Sequence, residues 1–89
     1  MAVLFVRHKV KDFGAWKSAY NEFDAERKTM GVKGHGVFQA EDNPNDVTIY
    51  HEFDDMDKAR SFVGSARLKE VMESAGVEGP PDMWFTTKA

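Results

Sequence analysis

The order of strand-like and helix-like segments constrains the fold of this chain most strongly. Four segments have the β-branched and aromatic composition of strands, and two have the spacing of amphipathic helices. They follow one another as strand, helix, strand, strand, helix, strand within 89 residues. The predicted strands are residues 2–10, 32–40, 47–53 and 83–87, and residues 41–46 form the predicted loop between the middle two.

The first predicted helix carries a stripe of large side chains. Asp12 is a typical N-cap residue, and Gly31 is a typical residue just beyond a helix C-terminus. Between them, large residues recur at spacings of 3 and 4, which places them on one helix face. The stripe consists of Phe13, Trp16, Tyr20, Phe23, Arg27 and Met30, and only Arg27 is neither apolar nor aromatic. This pattern favours core packing over a cofactor site.

The second predicted helix is interrupted. Asp54 is the expected N-cap residue, and Gly76 is expected to end the helix. Gly64 and Ser65 predict a kink or two shorter helices. The following segment, 77–81, contains two consecutive prolines and is expected to be an extended bridge outside the sheet, because proline cannot donate to a ladder.

This order predicts an α+β fold of the ferredoxin-like βαββαβ type, with residues 1–89 as one domain. Right-handed crossovers give a four-stranded antiparallel sheet of order 4-1-3-2, with both helical segments on one face. The other face also carries aromatic residues and needs a cover. We therefore expect a homodimer in which two such sheet faces stack.

The predicted strands 32–40 and 47–53 form a hairpin. The alternation of polar and apolar residues along them predicts a register that places the two kinds of side chain on different faces. In this register His35 lies opposite Glu52, and Val37 lies opposite Tyr50, on the face away from the helices. Phe38 then faces the helices. A shift by one residue would mix the two kinds of side chain on each face.

The pairing of His35 with Glu52 is the best acid–base candidate in the sequence. A carboxylate beside an imidazole fixes its tautomer and raises its pKa. We predict His35 and Glu52 as catalytic residues, with a solvated surface ion pair as the alternative. The first strand adds either Val3, Phe5 and Arg7 or Leu4, Val6 and His8 to the face that carries this pair, and the aliphatic character of the even-numbered residues favours the first set. The predicted ligand-binding residues are Arg7, Tyr50, Val37 and Trp84.

Composition narrows the function classes. A net charge of −3 argues against a nucleic-acid partner, and the absence of cysteine excludes thiolate metal sites and cysteine nucleophiles. No segment resembles a signal peptide or a membrane span, so we expect a cytoplasmic protein with no membrane partner. The predicted register places His35 and His51 on opposite faces, so we expect no shared metal site. No cofactor is expected.

Several segments together resemble the dimeric α+β barrel superfamily, and within it the antibiotic-biosynthesis monooxygenase-like proteins, in particular a group of small bacterial proteins of uncharacterised function. The resemblance covers nearly the whole chain. The segments that carry it are 6–13 with Trp16-Lys17, His35 with Val37-Phe38, 42–47 with Glu52-Phe53, 59–62, and 75–80.

This resemblance implies a homodimer with a small-molecule cavity, either inside the barrel or between sheet and helices. It implies a small monooxygenase that acts without metal or flavin on a phenolic or polycyclic aromatic molecule. Two other functions stay open. One is a non-redox cyclase or isomerase that uses the His35–Glu52 pair for proton transfer, and the other is a non-catalytic small-molecule-binding protein.

Overall fold

The computed structural model describes residues 1–89 and contains one four-stranded antiparallel sheet with helices packed on one face. The strand order is β2-β3-β1-β4, which is the predicted order taken from the opposite edge. The predicted α+β topology is confirmed. The elements are β1 (Ala2–Val10), α1 (Phe13–Glu22), α2 (Asp24–Thr29), β2 (Gly34–Ala40), β3 (Asn43–Phe53), α3 (Met56–Val63), α4 (Ala66–Ser74) and β4 (Val77–Thr87).

Side chains of the central strand β1 alternate between the two faces of the sheet, one covered by helices and the other open. Its even-numbered residues are buried against the helices, and Leu4 has no exposed surface. Its odd-numbered residues Val3, Phe5 and Arg7 lie on the open face, as the sequence predicts. Strict alternation of this kind is expected for a strand with one covered face. The open face is defined from here on as the sheet surface without helices.

The first helical segment is two helices rather than one. Asp12 caps α1 as predicted, with its Oδ2 accepting from the Ala15 amide at 2.9 Å. Phe23 separates α1 from α2, and its amide is shared between the carbonyls of Ala19 and Tyr20 at 3.2 Å each. The aromatic stripe nevertheless continues across this junction, and Arg27 is buried with it. Gly31 has φ 99°, the left-handed conformation expected after a helix C-terminus.

The second helical segment breaks where the sequence predicts. Helix α3 ends at Val63 and α4 begins at Ala66. Ser65 caps α4, with its hydroxyl accepting from the Leu68 amide at 3.2 Å. The predicted N-cap of α3 is wrong by one residue. Asp55 rather than Asp54 accepts from the Lys58 amide, at 2.9 Å.

Two predicted irregular segments belong to the sheet. β3 begins at Asn43, and Ala40 pairs with Asn43, so residues 41–46 are not a six-residue loop. β4 begins at Val77 rather than Met83. Its prolines fall in the interval between the Arg7–Asp82 and Lys9–Glu78 pairs, where the register shifts. An edge strand tolerates proline at such an interruption, because no ladder bond is needed there.

The predicted hairpin register is wrong by one residue. His35 pairs with His51, Val37 with Ile49, and Gly36 with Tyr50. The two glycines supply the reason. A Cβ atom on Gly36 would lie 2.3 Å from Tyr50 Cε2, and one on Gly34 would lie 2.5 Å from Glu52 Oε1. The Tyr50 ring therefore covers a strand position that favours glycine, and Glu52 lies over the other glycine, although the flexible end of Glu52 can move; polarity alternation does not reveal this fit.

Candidate functional site

The corrected register separates the two predicted catalytic residues. His35 faces the helices with Val37, whereas Glu52 lies on the open face with Tyr50. His35 and Glu52 therefore do not form a pair. The predicted placement of Val37 beside Tyr50 is wrong for the same reason.

Three of the predicted ligand-binding residues, Arg7, Tyr50 and Trp84, do lie on the open face. Arg7 is held there by Asp46, with Nε to Oδ1 at 3.0 Å and Nη2 to Oδ2 at 2.7 Å. The hydrogen bonds from Arg7 lower the pKa of the Asp46 carboxyl and raise that of the guanidinium. The Arg7 guanidinium thus forms a bidentate ion pair with the Asp46 carboxylate.

The residues that the fold brings together on the helix-covered side centre on Tyr20. Its hydroxyl from α1 lies 3.0 Å from His35 Nδ1 on β2 and 3.0 Å from His51 Nε2 on β3. The cross-strand pairing of His35 with His51 presents both rings to the same hydroxyl. One tyrosine hydroxyl can donate one hydrogen bond and accept another, so it can serve both rings.

Arg27 and Trp16 fix the Tyr20 ring. The Arg27 guanidinium carbon lies 3.6 Å from the ring centroid, and the Trp16 ring stacks on Tyr20 at 4.9 Å. Arg27 donates to the Tyr20 carbonyl, and its Nη2 donates to Asp24 Oδ1 at 3.3 Å. Arg27 is only 2% exposed, so its charge is compensated inside the protein by these partners.

Burial keeps this cluster uncharged apart from Arg27 and Asp24. It raises the pKa of Tyr20 to about 12 and lowers that of His51 to about 3. The pKa of His35 is also lowered, first by burial and then by the Arg27 charge. At neutral pH, the tyrosine is therefore protonated and both imidazoles are neutral hydrogen-bonding groups.

An apolar cavity of about 60 Å³ lies between sheet and helices beside this cluster. Four buried polar atoms lack a hydrogen-bond partner, namely Nδ1 and Nε2 of His8, Nδ1 of His51 and Nε of Arg27. All three residues line the cavity. Buried polar atoms are nearly always paired, so their concentration at one cavity indicates a place for a polar ligand or water.

The cavity is small, and its wall on the α4 side is loose. Water takes about 30 Å³ in the liquid, and a cavity of about 150 Å³ holds benzene. The space of about 60 Å³ therefore holds water but not an aromatic ring. Helix α4 has no fully buried residue, and it contributes Leu68, Val71 and Met72 to the lining. Outward movement of these side chains would enlarge the cavity without disturbing the sheet.

No group of three His, Cys, Asp or Glu side chains is arranged to hold a metal ion. The argument that His35 and His51 lie on opposite faces is wrong, because the rings are 6.4 Å apart on the same face. No helix in the structure has the length and apolar character needed to cross a membrane.

Sequence reasoning missed three residues of this site. The helix stripe predicts core packing for Tyr20 and includes Arg27 only as its exception, and the predicted register places His51 on the face opposite His35. Arg27 was the available signal, because a charge on a buried helix face needs polar partners inside the protein. The need for such partners indicates that the side chains around Arg27 form a polar site.

Comparison with solved structures identifies the same fold in antibiotic biosynthesis monooxygenases. A protein from Bordetella bronchiseptica, named provisionally as such an enzyme, superposes with a TM-score of 0.82 at 14% identity, over 99% of this chain and 96% of that one. SnoaB, a cofactor-independent oxygenase from Streptomyces nogalater, gives a TM-score of 0.73 at 16% identity, over 99% and 95%.

A third structure, from Caulobacter crescentus and with the same provisional name, gives 0.79 at 12% identity, over 99% of this chain and 89% of that one. The chain thus has the fold of antibiotic biosynthesis monooxygenases, at identities that establish the fold alone. No family profile and no curated protein sequence matches the chain.

Proposed function

We propose that this protein is a cofactor-independent, monooxygenase-like enzyme that binds a small phenolic or other aromatic molecule between its sheet and its helices. One observation carries the proposal. Buried ring nitrogens of His8 and His51 have no partner and line an apolar cavity. Such a cavity, with few convergent polar groups, suits a flat molecule that carries one or two oxygen atoms.

In this proposal His51 is the base, the role that the sequence predicts for His35. Its Nε2 is occupied by Tyr20, which leaves Nδ1 for the hydroxyl of a ligand. Loss of a proton makes an electron-rich phenol, such as a dihydroxynaphthalene, easier to oxidise, so that its anion can react with O₂ directly. The overall conversion of a phenol and O₂ to a quinone and water balances without another reductant. The apolar walls would exclude bulk water from the reacting anion.

Binding of a ring requires the α4 wall to open. The Met72 side chain is flexible, and the apolar side chains of α4 that face the cavity are only half-buried. At the surface, Arg67 of α4 also holds Glu26 of α2 with two contacts of 3.0 Å. We propose that Leu68 and Met72 move outward when a ligand enters. A polycyclic molecule requires a larger displacement than a single ring.

We also propose that the open face is the homodimer interface. Tyr50, Phe5 and Trp84 lie side by side across three strands, and Phe38 stacks on Tyr50 at 6.2 Å. Phe38 is 59% exposed and Trp84 is 50% exposed in the single chain. A contiguous aromatic surface of this kind is typical of an interface rather than of a solvated face.

The test combines binding with turnover. The purified chain is titrated with monohydric phenols and dihydroxynaphthalenes, and tryptophan fluorescence reports binding, because Trp16 lines the cavity. We expect saturable quenching, together with O₂ consumption and quinone absorbance for at least one compound. His51→Gln should abolish consumption, and Glu52→Gln on the open face is the matched control. Absence of binding across the panel would contradict the proposal.

The small cavity favours one second candidate, a binding protein without turnover. An aromatic ring fits the space of about 60 Å³ only after the wall has moved, so a ligand would shape its own site on binding. Saturable quenching without O₂ consumption or any product, in wild type and His51→Gln alike, would support this candidate over the enzyme.

A further inference from the structure

The hydrogen bonds around Tyr20 form a continuous path from the cavity to solvent. His51 is 4% exposed and lines the cavity. Tyr20 connects its Nε2 to His35 Nδ1 with two contacts of 3.0 Å. The other ring nitrogen of His35, Nε2, lies 3.7 Å from Asp24 Oδ1, and both of these side chains are about 40% exposed. The path thus begins at a buried nitrogen and ends at the surface.

One set of proton positions satisfies every contact of the path and leaves a base in the cavity. With the His51 proton on Nε2, the unpartnered Nδ1 presents a free lone pair to the cavity. His51 Nε2–H then donates to the Tyr20 oxygen, and the Tyr20 hydroxyl donates to His35 Nδ1. His35 carries its own proton on Nε2, facing Asp24. Every donor in this arrangement points from the cavity toward solvent.

From this geometry we infer that Tyr20 and His35 are a proton relay that lets His51 accept a proton in the cavity and release another at Asp24. The relay is a property of the free protein. Its use in catalysis rests on the proposed function.

One transfer conserves every proton. His51 Nδ1 gains a proton from the ligand hydroxyl, and Nε2 gives its proton to the Tyr20 oxygen. Tyr20 passes its original proton to His35 Nδ1, and His35 Nε2 releases a proton to water beside Asp24. Both imidazoles have changed tautomer, Tyr20 is again a neutral phenol, and the only charge left in the cavity is that of the ligand anion.

The relay explains how a deeply buried histidine can act as a base. The pKa of His51 is lowered to about 3 by burial and by the neighbouring charge of Arg27. A charged imidazolium is therefore strongly disfavoured at this position. Transfer through the neutral tautomers avoids that species, because the positive charge never stays on His51.

The charges near His35 favour release at the surface. Asp24 attracts the departing proton, whereas Arg27, Lys17 and Lys28 disfavour a charged His35 ring. Arg27 and Lys28 are themselves paired with Asp24. Because the hydrogen bond from Lys28 lowers the pKa of Asp24, that carboxylate stays charged, and a proton that reaches His35 moves on to water beside it rather than remaining on the ring.

Nuclear magnetic resonance of the ¹⁵N-labelled, ligand-free chain at pH 7 tests this inference. Long-range proton–nitrogen spectra should show His35 and His51 neutral, with the proton on Nε2 in both. His35→Gln keeps an acceptor for Tyr20 but cannot pass a proton on. We expect it to slow exchange of the His51 ring proton with water at least tenfold, while the His51 backbone amide exchanges as in wild type.

Tyr20→Phe gives a second test, and Tyr50→Phe is its control, because it removes a tyrosine hydroxyl from the open face. Tyr20→Phe should slow His51 ring exchange, and Tyr50→Phe should not. A His51 proton on Nδ1, or unchanged ring exchange in His35→Gln, would overturn the relay. These measurements need no ligand, so a relay without phenol binding would refute only the proposed function.

Discussion

At the scale of single residues, Arg27 and His51 show how burial sets chemistry. Arg27 lies against the Tyr20 ring and holds the Tyr20 backbone carbonyl and Asp24. Its charge and the surrounding apolar side chains keep His51 neutral. The site is therefore built from hydrogen-bonding tautomers rather than from charged acids and bases.

The buried His51 predicts a pH dependence of stability. Its pKa is near 6.5 in the unfolded chain and about 3 in the folded chain. Below pH 6.5 the unfolded state binds a proton that the folded state excludes, so the free energy of unfolding falls as pH decreases toward 3. Between pH 7 and pH 5 this group accounts for a loss of about 2 kcal/mol.

His51→Gln should lose about 2 kcal/mol less than wild type over that interval. Urea unfolding at pH 7, 6 and 5 measures the difference, and His8, whose pKa is also lowered, contributes to both proteins equally. Parallel curves for the two proteins would show that His51 is protonated in the folded state.

Gly36 predicts a second effect at the residue scale. In Gly36→Ala the new Cβ would lie 2.3 Å from the rigid Tyr50 ring, which must move. We expect a loss of about 1 kcal/mol, because overpacking outweighs the backbone gain of replacing glycine.

Gly34→Ala is the matched control, because the clash there is with the flexible end of Glu52. It should cost less than Gly36→Ala in urea unfolding at one protein concentration. Equal stability of wild type and Gly36→Ala would contradict the register argument.

At the scale of elements, α4 is the least firmly held helix. Helix α1 buries Trp16 and Tyr20, and α3 buries Ala59 and Phe62, but α4 buries no residue completely. Elements with few buried contacts open at low free energy. This property suits a helix that must move when a ligand enters the cavity.

Ser65→Ala should therefore loosen α4 selectively. Loss of the hydroxyl that accepts from the Leu68 amide costs about 1 kcal/mol of helix stability. Hydrogen exchange should become faster for the α4 amides and stay unchanged for β1. Equal acceleration in β1 would mean that α4 opens only with the whole protein.

At the scale of the whole molecule, the two faces of the sheet have different tasks. The helix-covered face encloses the Tyr20 cluster, and the open face presents the aromatic surface that we assign to a dimer. Both depend on alternation along β1, which places Leu4 and Val6 on one side and Phe5 on the other. A single strand thus contributes to the cavity and to the proposed interface.

Trp84→Lys should convert the proposed dimer to a monomer, because it places a charge within the aromatic surface, beside Phe5. Light scattering should give twice the chain mass of 10.1 kDa for wild type and the single mass for the variant. Phe85→Lys on the adjacent position of the opposite sheet face is the control and should remain dimeric. A monomeric wild type at tens of micromolar would refute the interface.

The sequence by itself determined the order of strands and helical segments and the break at Gly64-Ser65, because hydrophobic periodicity and caps are local signals. It favoured the observed faces of β1 through the aliphatic even-numbered residues, and the handedness of crossovers then gave the strand order. Only the tertiary structure decided the hairpin register, since it depends on Gly34 and Gly36 lying beneath Glu52 and Tyr50. In the observed register His35 contacts Tyr20 instead of the predicted partner Glu52. The candidate site follows from contacts between residues far apart in sequence, which no local pattern encodes.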